Sequence, residues 1–212
     1  MSYIPHLGHL YLVGIGPGDP ELMTYKAVRT LADARVWVVP KAKDNTPSSA
    51  LGIASSMVET IGKEILQVRF PMKKVRLGQE QDPEVVRGWE VATQAALLHL
   101  DRGEKVAFPT LGDPGLYSTS FYLLHILQAA RPEIPITIIP GITAMAACSA
   151  QTQNPLALGD DVVAVVPAAF EDDRLRDIFL TSDTVVLMKV FRRLPRIIEL
   201  LTELGLMDKA VL

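Results

Sequence analysis

The sequence predicts an α/β protein of two domains, each a mostly parallel or mixed sheet flanked by helices. Short Val- and Ile-rich runs alternate with longer amphipathic segments along the chain, the pattern of repeated strand–helix units whose sheets are covered on both faces. The 212 residues allow one large domain or two small ones, with a sizeable core. Three of the strand runs end in loops rich in Gly and Pro.

Taken in order, strands are expected at Leu10–Ile15, Arg35–Val39, Glu64–Val68, Lys105–Phe108, Ile136–Ile139, Val162–Val166 and Thr184–Met188. Helices are expected at Pro20–Ala32, Ser49–Thr60, Pro83–Asp101, Ser118–Ala130, Thr143–Gln151, Asp172–Leu180 and Leu194–Leu204. Asp19 is a good N-cap and Pro20 suits a first helical position. The alternation lapses over Phe70–Gln81, where Pro71, Gly78 and several positive charges predict a long surface loop. Loops that interrupt a compact α/β domain are often functional. A domain boundary is expected near Leu111–Gly115, where a strand ends in Gly, Asp and Pro, dividing the chain into residues 1–114 and 115–212.

Composition narrows the function classes. Hydrophobic residues make up 49% and charged residues 21%, ordinary for a globular protein. A net charge of −3 argues against nucleic-acid binding by general electrostatics. Cys148 is the only cysteine, which excludes an internal disulfide and fits a reducing cytoplasm. Within Ala146-Ala147-Cys148-Ser149-Ala150 it reads as a small buried hydrophobe rather than a nucleophile. The N-terminus lacks a signal-peptide pattern. No apolar stretch reaches the roughly 20 residues that span a membrane, so no membrane partner is expected. His6, His9, His99 and His125 are scattered without metal-ligand spacing, and no metal is expected.

The chemistry is expected in the strand-end loops. The first is Gly14-Ile15-Gly16-Pro17-Gly18-Asp19-Pro20, whose glycines let backbone turn sharply and approach a ligand closely. It also reads as a tight strand-to-helix turn with no ligand. A dinucleotide fingerprint fits it poorly: Asp19 stands where a third glycine belongs, and Pro17 removes a backbone donor. The second strand ends Val38-Val39-Pro40-Lys41, without the acidic residue that holds a ribose. No Gly-Lys-Ser/Thr occurs, which excludes a phosphate-binding P-loop. The second loop runs from Thr110 through Leu111-Gly112-Asp113-Pro114-Gly115-Leu116-Tyr117 to Ser118. Asp113 there is read either as facing a cationic or hydroxyl-bearing ligand or as a turn or capping aspartate. The third is Pro140-Gly141-Ile142-Thr143-Ala144. In open α/β sheets ligands bind outside the carboxyl ends of strands, and three such loops are hard to explain as unrelated turns.

At these residues the sequence resembles the tetrapyrrole methylases, the class III S-adenosylmethionine-dependent methyltransferases. The matching motifs are Val13-Gly14-Ile15-Gly16-Pro17-Gly18-Asp19-Pro20, Gly112-Asp113-Pro114 with Tyr117-Ser118, and Pro140-Gly141-Ile142-Thr143-Ala144. They occur in family order across almost the whole chain. Within the family the chain looks most like the C-20 methyltransferases of cobalamin biosynthesis that act on precorrin-2 or cobalt-factor II. That likeness rests on Phe70-Pro71-Met72, Thr110-Leu111-Gly112-Asp113 and Val186-Leu187-Met188-Lys189-Val190. The resemblance implies S-adenosylmethionine as cofactor, a homodimer, and a cofactor site between two α/β domains. By motif match it implies Pro17, Leu111, Gly112, Asp113, Leu116, Thr143, Ala144 and Met188 as cofactor-binding residues. Taken by base rate alone, Met188 is a core residue. The chain stops at Leu212, at what reads as the start of another strand, whereas family members continue with strands that help close the second domain. A truncated second domain is therefore expected.

The implied substrate is a small-molecule tetrapyrrole bearing several carboxylates, so its site is expected to be basic. Arg69, Lys73, Lys74 and Arg76 surround Phe70-Pro71-Met72 without an acidic residue among them, and with Met72 they are the candidate substrate-binding residues. A second group, Lys189, Arg192, Arg193 and Arg196, follows the strand that ends at Met188. Either group also reads as solvated surface charge. The residue types nominate no general base. Rival classes are a nicotinamide-dependent oxidoreductase, a non-catalytic module of the same fold, and a methyltransferase acting on another tetrapyrrole, a protein or RNA.

Overall fold

A computed structural model of the chain describes residues 7–43, 45–71, 75, 80–168 and 170–212. The chain divides into two compact units, Met1–Ala144 and Met145–Leu212.

In the first unit, strands β1 (His9–Gly14), β2 (Val36–Lys41), β3 (Glu64–Arg69), β4 (Lys105–Thr110) and β5 (Ile136–Ile139) form one sheet in the order β3-β2-β4-β1-β5. Every pairing is parallel. Helices α1 (Tyr25–Asp33), α2 (Ser49–Met57), α3 (Pro83–Leu100) and α4 (Ser120–Ala130) connect the strands. Alternate residues of each strand serve opposite faces, as the two-residue repeat requires. Leu10, Leu12, Val36, Val38, Val106 and Phe108 pack with Trp89 and Ala92 of α3 and Leu123 and Leu127 of α4. Val13, Trp37, Val39 and Ala107 pack instead with Ala27 and Leu31 of α1 and Ala50 and Ala54 of α2. The inner strands β1, β2 and β4 are largely buried on both sides, which is why they read as nearly continuous apolar runs.

The first unit extends beyond the boundary expected near Leu111–Gly115. β5 joins β1 in register from Leu10 opposite Ile136 to Val13 opposite Ile139, which ties residues 115–144 to the first sheet. A Gly/Asp/Pro loop after a strand marks a turn inside an open sheet as readily as a domain border. The helix expected over Pro20–Ala32 is also divided. Pro20–Leu22 is a single 3₁₀ turn capped by Asp19, and α1 starts anew with Thr24, whose hydroxyl accepts from the Ala27 N–H at 3.1 Å. The carbonyls at the end of α1 are satisfied from outside the helix. Lys63 Nζ donates to Leu31, Ala32 and Ala34 at 2.8–2.9 Å, and Trp37 Nε1 donates to Leu31 and Ala34 at 3.1 Å. Phe70, expected at the start of a surface loop, is buried against Phe108 with ring centroids 5.7 Å apart. The apolar side of that segment closes the core.

The second unit has α5 (Ala144–Thr152) at its start, a parallel pair β6 (Val163–Pro167) and β7 (Thr184–Met188), and helices α6 (Asp172–Thr181) and α7 (Leu194–Glu203). Val166, Leu175 and Leu200 form its small core. Cys148, expected to be buried, is exposed. Its helix is made of small residues without an apolar stripe and buries none of them. Arg193 and Arg196 both donate to Asp172, at 2.9 and 2.6 Å, and Arg196 also reaches Glu199. The hydrogen bond from Arg196 and the two positive charges hold the Asp172 carboxyl below its ordinary range. Among the described residues no helix is long and apolar enough to cross a membrane.

Candidate functional site

The three Gly/Pro-rich loops leave the carboxyl ends of β1, β4 and β5, which are neighbours in the sheet with β1 in the centre. β1 feeds α1 on one face and β4 feeds α4 on the other. Where adjacent parallel strands send their helices to opposite faces, the sheet opens at its carboxyl edge, the usual ligand position in open α/β folds.

Backbone locks the loops together. The Gly16 N–H donates to the Gly112 carbonyl at 3.3 Å, the Gly112 N–H donates back to Gly16 at 2.7 Å, and the Ile15 N–H donates to Thr110 at 3.0 Å. Gly14 and Gly141 are required by close approach. A Cβ on Gly14 would lie 2.6 Å from the Gly141 nitrogen, and one on Gly141 would lie 2.2 Å from the Gly112 carbonyl oxygen. Gly112 is required for a different reason. Its φ is +67°, in the left-handed region, and a Cβ there would meet no atom within 4 Å. Between two locked loops, this glycine borders open space.

Asp113 works within the protein. Its carboxylate accepts from the Gly115 N–H at 2.7 Å and from the Gly141 N–H at 2.9 Å, bridging the loops after β4 and β5. The capping reading of Asp113 accounts for both carboxylate oxygens. Asp113→Asn keeps the shape but turns an amide NH₂ toward one of these N–H groups. The expected cost is about 1–2 kcal/mol of stability, since one charge-assisted bond is lost and a donor faces a donor. Thermal unfolding of the variant measures it, and an unchanged melting temperature would remove Asp113 from this role.

A chain of hydroxyls underlies the same loop. Thr110 Oγ1 lies 2.9 Å from Ser118 Oγ, which lies 2.9 Å from Ser120 Oγ, and Ser120 Oγ donates to the Pro114 carbonyl at 3.3 Å. Thr110 and Ser120 are buried. Tyr117, between Leu116 and Ser118, has a left-handed φ of +50°. Sequence reasoning did not find this chain or the Tyr117 conformation. The only trace of the chain is the serine pair two residues apart, and nothing in the residue types marks the conformation.

Pro17 and Leu116 are half-buried at the first and second loops, and Leu111 is exposed. Thr143 and Ala144 end the third loop, where α5 begins. The structure thus gathers Pro17, Leu111, Gly112, Asp113, Leu116, Thr143 and Ala144 on the loops after β1, β4 and β5 of the first unit. Met188, half-buried, ends β7 in the second unit, opposite Pro167 in the strand pairing. Of the candidate substrate residues, Arg69 ends β3 and pairs with Glu84 at 2.6 Å, both side chains about half exposed. Met72, Lys73, Lys74 and Arg76 lie outside the described residues. In the second basic group, Arg193 and Arg196 are engaged by Asp172.

Displaced ionisations at the opposite, amino edge of the sheet include those of His9 and Lys105. Burial, and then the charge of Lys105, lower the pKa of His9, whose Nε2 lies 2.7 Å from Thr137 Oγ1. Lys105 is raised by its bond to Asp33 at 2.6 Å. Among the described residues no group of three or more His, Cys, Asp or Glu side chains is placed to hold a metal ion.

The sequence matches the family described as Tetrapyrrole (Corrin/Porphyrin) Methylases over residues 9–212. It is 33% identical to a precorrin-2 C(20)-methyltransferase of Sinorhizobium sp over 208 residues, 97% of this chain and 82% of that one. It is 32% identical to the cobalt-precorrin-2 C(20)-methyltransferase of Salmonella typhimurium, over 97% of this chain and 82% of that one. Among solved structures, the fold is similar to that of the cobalamin biosynthetic enzyme cobalt precorrin-4 methyltransferase. The TM-score is 0.66 at 22% identity, covering 93% of this chain and 75% of that one. It is also similar to uroporphyrin-III C-methyltransferase from Thermus thermophilus complexed with S-adenosylhomocysteine. There the TM-score is 0.59 at 25% identity, covering 92% of this chain and 72% of that one.

Proposed function

The chain belongs to the tetrapyrrole methylases, and from that premise we propose that it transfers a methyl group from S-adenosylmethionine to C-20 of precorrin-2 or its cobalt-containing counterpart, in cobalamin biosynthesis. The observation that carries this reading is the open, left-handed position of Gly112 between two backbone-locked loops at the carboxyl edge of a parallel sheet. Such a cradle lets backbone meet a ligand directly. Pro17, Leu111, Gly112, Asp113, Leu116, Thr143, Ala144 and Met188 are the proposed cofactor contacts. Asp113 contributes by holding the loops after β4 and β5 at a fixed separation.

The sulfonium of the bound cofactor supplies an already activated methyl group. The residues of this chain have the remaining tasks of holding donor and acceptor carbon in line and excluding water. Positioning of this kind lowers a barrier by roughly 7–11 kcal/mol. Loops fixed by reciprocal backbone hydrogen bonds suit that task better than flexible ones, because a small misplacement of reacting atoms is costly in rate. A homodimeric assembly and a cytoplasmic location belong to the same proposal. Incubation with S-adenosylmethionine and either metal-free or cobalt-loaded precorrin-2, read by mass spectrometry, tests it. A product heavier by one CH2 unit, a methyl group gained and a proton lost from the acceptor carbon, is expected from at least one substrate, and its absence from both would reject the reading.

Arg69, Met72, Lys73, Lys74 and Arg76 are the proposed substrate-binding residues. Arg suits paired contacts with carboxylates and Lys a looser point-charge contact. Neutralising Arg69, Lys73, Lys74 and Arg76 together is expected to raise the tetrapyrrole KM about tenfold or more, equivalent to roughly 1.4 kcal/mol of lost attraction. The effect should shrink at high salt for whichever members of the group are exposed. Arg69 is already neutralised in part by Glu84. Steady-state kinetics with cofactor affinity measured in parallel decide it, and an unchanged KM would make the segment a bystander.

A further inference from the structure

We propose that Tyr117 is a substrate-contacting residue whose ring is a platform for a face of the tetrapyrrole, an inference that rests on the methyltransferase reading above. Tyr117 is a large L-residue held at φ +50°, a conformation that Gly or Asn adopts with far less strain. The residue is 41% exposed, so complete burial does not account for keeping Tyr in that conformation. Non-glycine residues in sparsely populated backbone regions persist where the surroundings over-determine them, and they gather at functional sites.

The surroundings here do over-determine it. On one side the Leu116 N–H donates to the Asp113 carbonyl at 3.3 Å, while the Asp113 side chain holds the Gly115 N–H at 2.7 Å. On the other side Ser118 sits in the hydroxyl chain. Ser120 donates to the Pro114 carbonyl, which leaves its oxygen to accept from Ser118, and Ser118 in turn accepts from Thr110. The residues flanking Tyr117 are therefore fixed, and the strain falls on Tyr117 itself. Among the described residues the other left-handed non-glycines are Gln153 and Lys189. Gln153 follows the end of α5, an ordinary place for that conformation. Tyr117 instead lies in a strand-end loop with Leu111, another exposed apolar side chain at 46%. A reduced tetrapyrrole offers broad apolar faces inside a carboxylate rim. A rigid aromatic side chain presents contact area to such a face at little cost in conformational freedom.

Tyr117→Gly and Tyr117→Asn relieve the backbone while removing the ring, and Tyr117→Phe keeps the ring and removes the hydroxyl. With metal-free precorrin-2 as substrate and S-adenosylhomocysteine as cofactor probe, Gly and Asn are expected to leave the melting temperature unchanged or raised. They should keep cofactor affinity within about threefold and raise the tetrapyrrole KM about tenfold or more, equivalent to roughly 1.4 kcal/mol. Phe, which keeps the ring, should raise the tetrapyrrole KM far less than Gly or Asn does. A lowered melting temperature in both Gly and Asn would overturn the inference by making the ring a packing element. A tetrapyrrole KM within twofold in both would overturn it equally. Absence of S-adenosylhomocysteine binding by the unaltered protein would overturn the methyltransferase reading, and this inference with it.

Discussion

Gly141→Ala is expected to destabilise the first unit by about 3 kcal/mol, near the upper end of what overpacking costs, and to lower its melting temperature by roughly 6–12 °C. A Cβ at this position lies 2.2 Å from the Gly112 carbonyl oxygen and 2.9 Å from Gly14 Cα. Both are backbone atoms, so no side chain can swing away. Relief has to come from separating the loops after β1, β4 and β5. That separation would strain the Gly16–Gly112 hydrogen bonds and the Asp113 bridge to the Gly141 N–H. A closely packed interior transmits such a displacement instead of absorbing it. Gly52→Ala is the control. Gly52 lies within α2 and a Cβ there meets nothing within 4 Å. Replacing a helical glycine with Ala should stabilise by about 0.5–1 kcal/mol. Thermal unfolding of the two variants side by side gives the answer. Equal melting temperatures would mean that the loops after β1 and β5 do not bear on one another as the geometry requires.

The contrast between these glycines shows what was legible in the sequence. All seven expected strands correspond to strands in the structure, and those buried on both faces read as unbroken apolar runs, as Val36–Val39 does. The division of Pro20–Ala32 was missed because Asp19 and Pro20 make a good helix start by themselves. The second N-cap, Thr24, acts only once the chain has turned. The boundary near Leu111–Gly115 was misplaced because strand pairing between β1 and β5 joins residues about 126 positions apart, as the Leu10–Ile136 pair does, beyond the reach of local pattern. The site loops were legible through their Gly and Pro content. What each residue does in them was not. Asp113 and the Gly141 N–H are 28 positions apart, and only the sheet order brings them to 2.9 Å. Residue type likewise cannot distinguish Gly141, crowded by backbone, from Gly112, which borders open space.

That open space sets the last expectation. Gly112→Val should weaken S-adenosylhomocysteine binding about 100-fold or more, or roughly 2.8 kcal/mol, while the protein stays folded. Two effects act together and can be separated. The first is conformational. At φ +67° any L side chain is strained, and a β-branched one is a genuine outlier, which costs roughly 1–2 kcal/mol of folding stability. The second is steric. The Val side chain enters the space beside the Gly16–Gly112 bridge, which the protein itself leaves unfilled. A bound cofactor backed against that bridge would lose both volume and backbone contact. Gly112→Ala carries most of the conformational cost with much less bulk. If occupancy of the space matters, Ala should therefore bind substantially better than Val at a similar melting temperature. If strain alone matters, the two should bind alike. Titration calorimetry with S-adenosylhomocysteine, beside thermal unfolding, separates the cases. Normal binding by Gly112→Val would mean that the loop is structural and that the cofactor lies elsewhere in the protein.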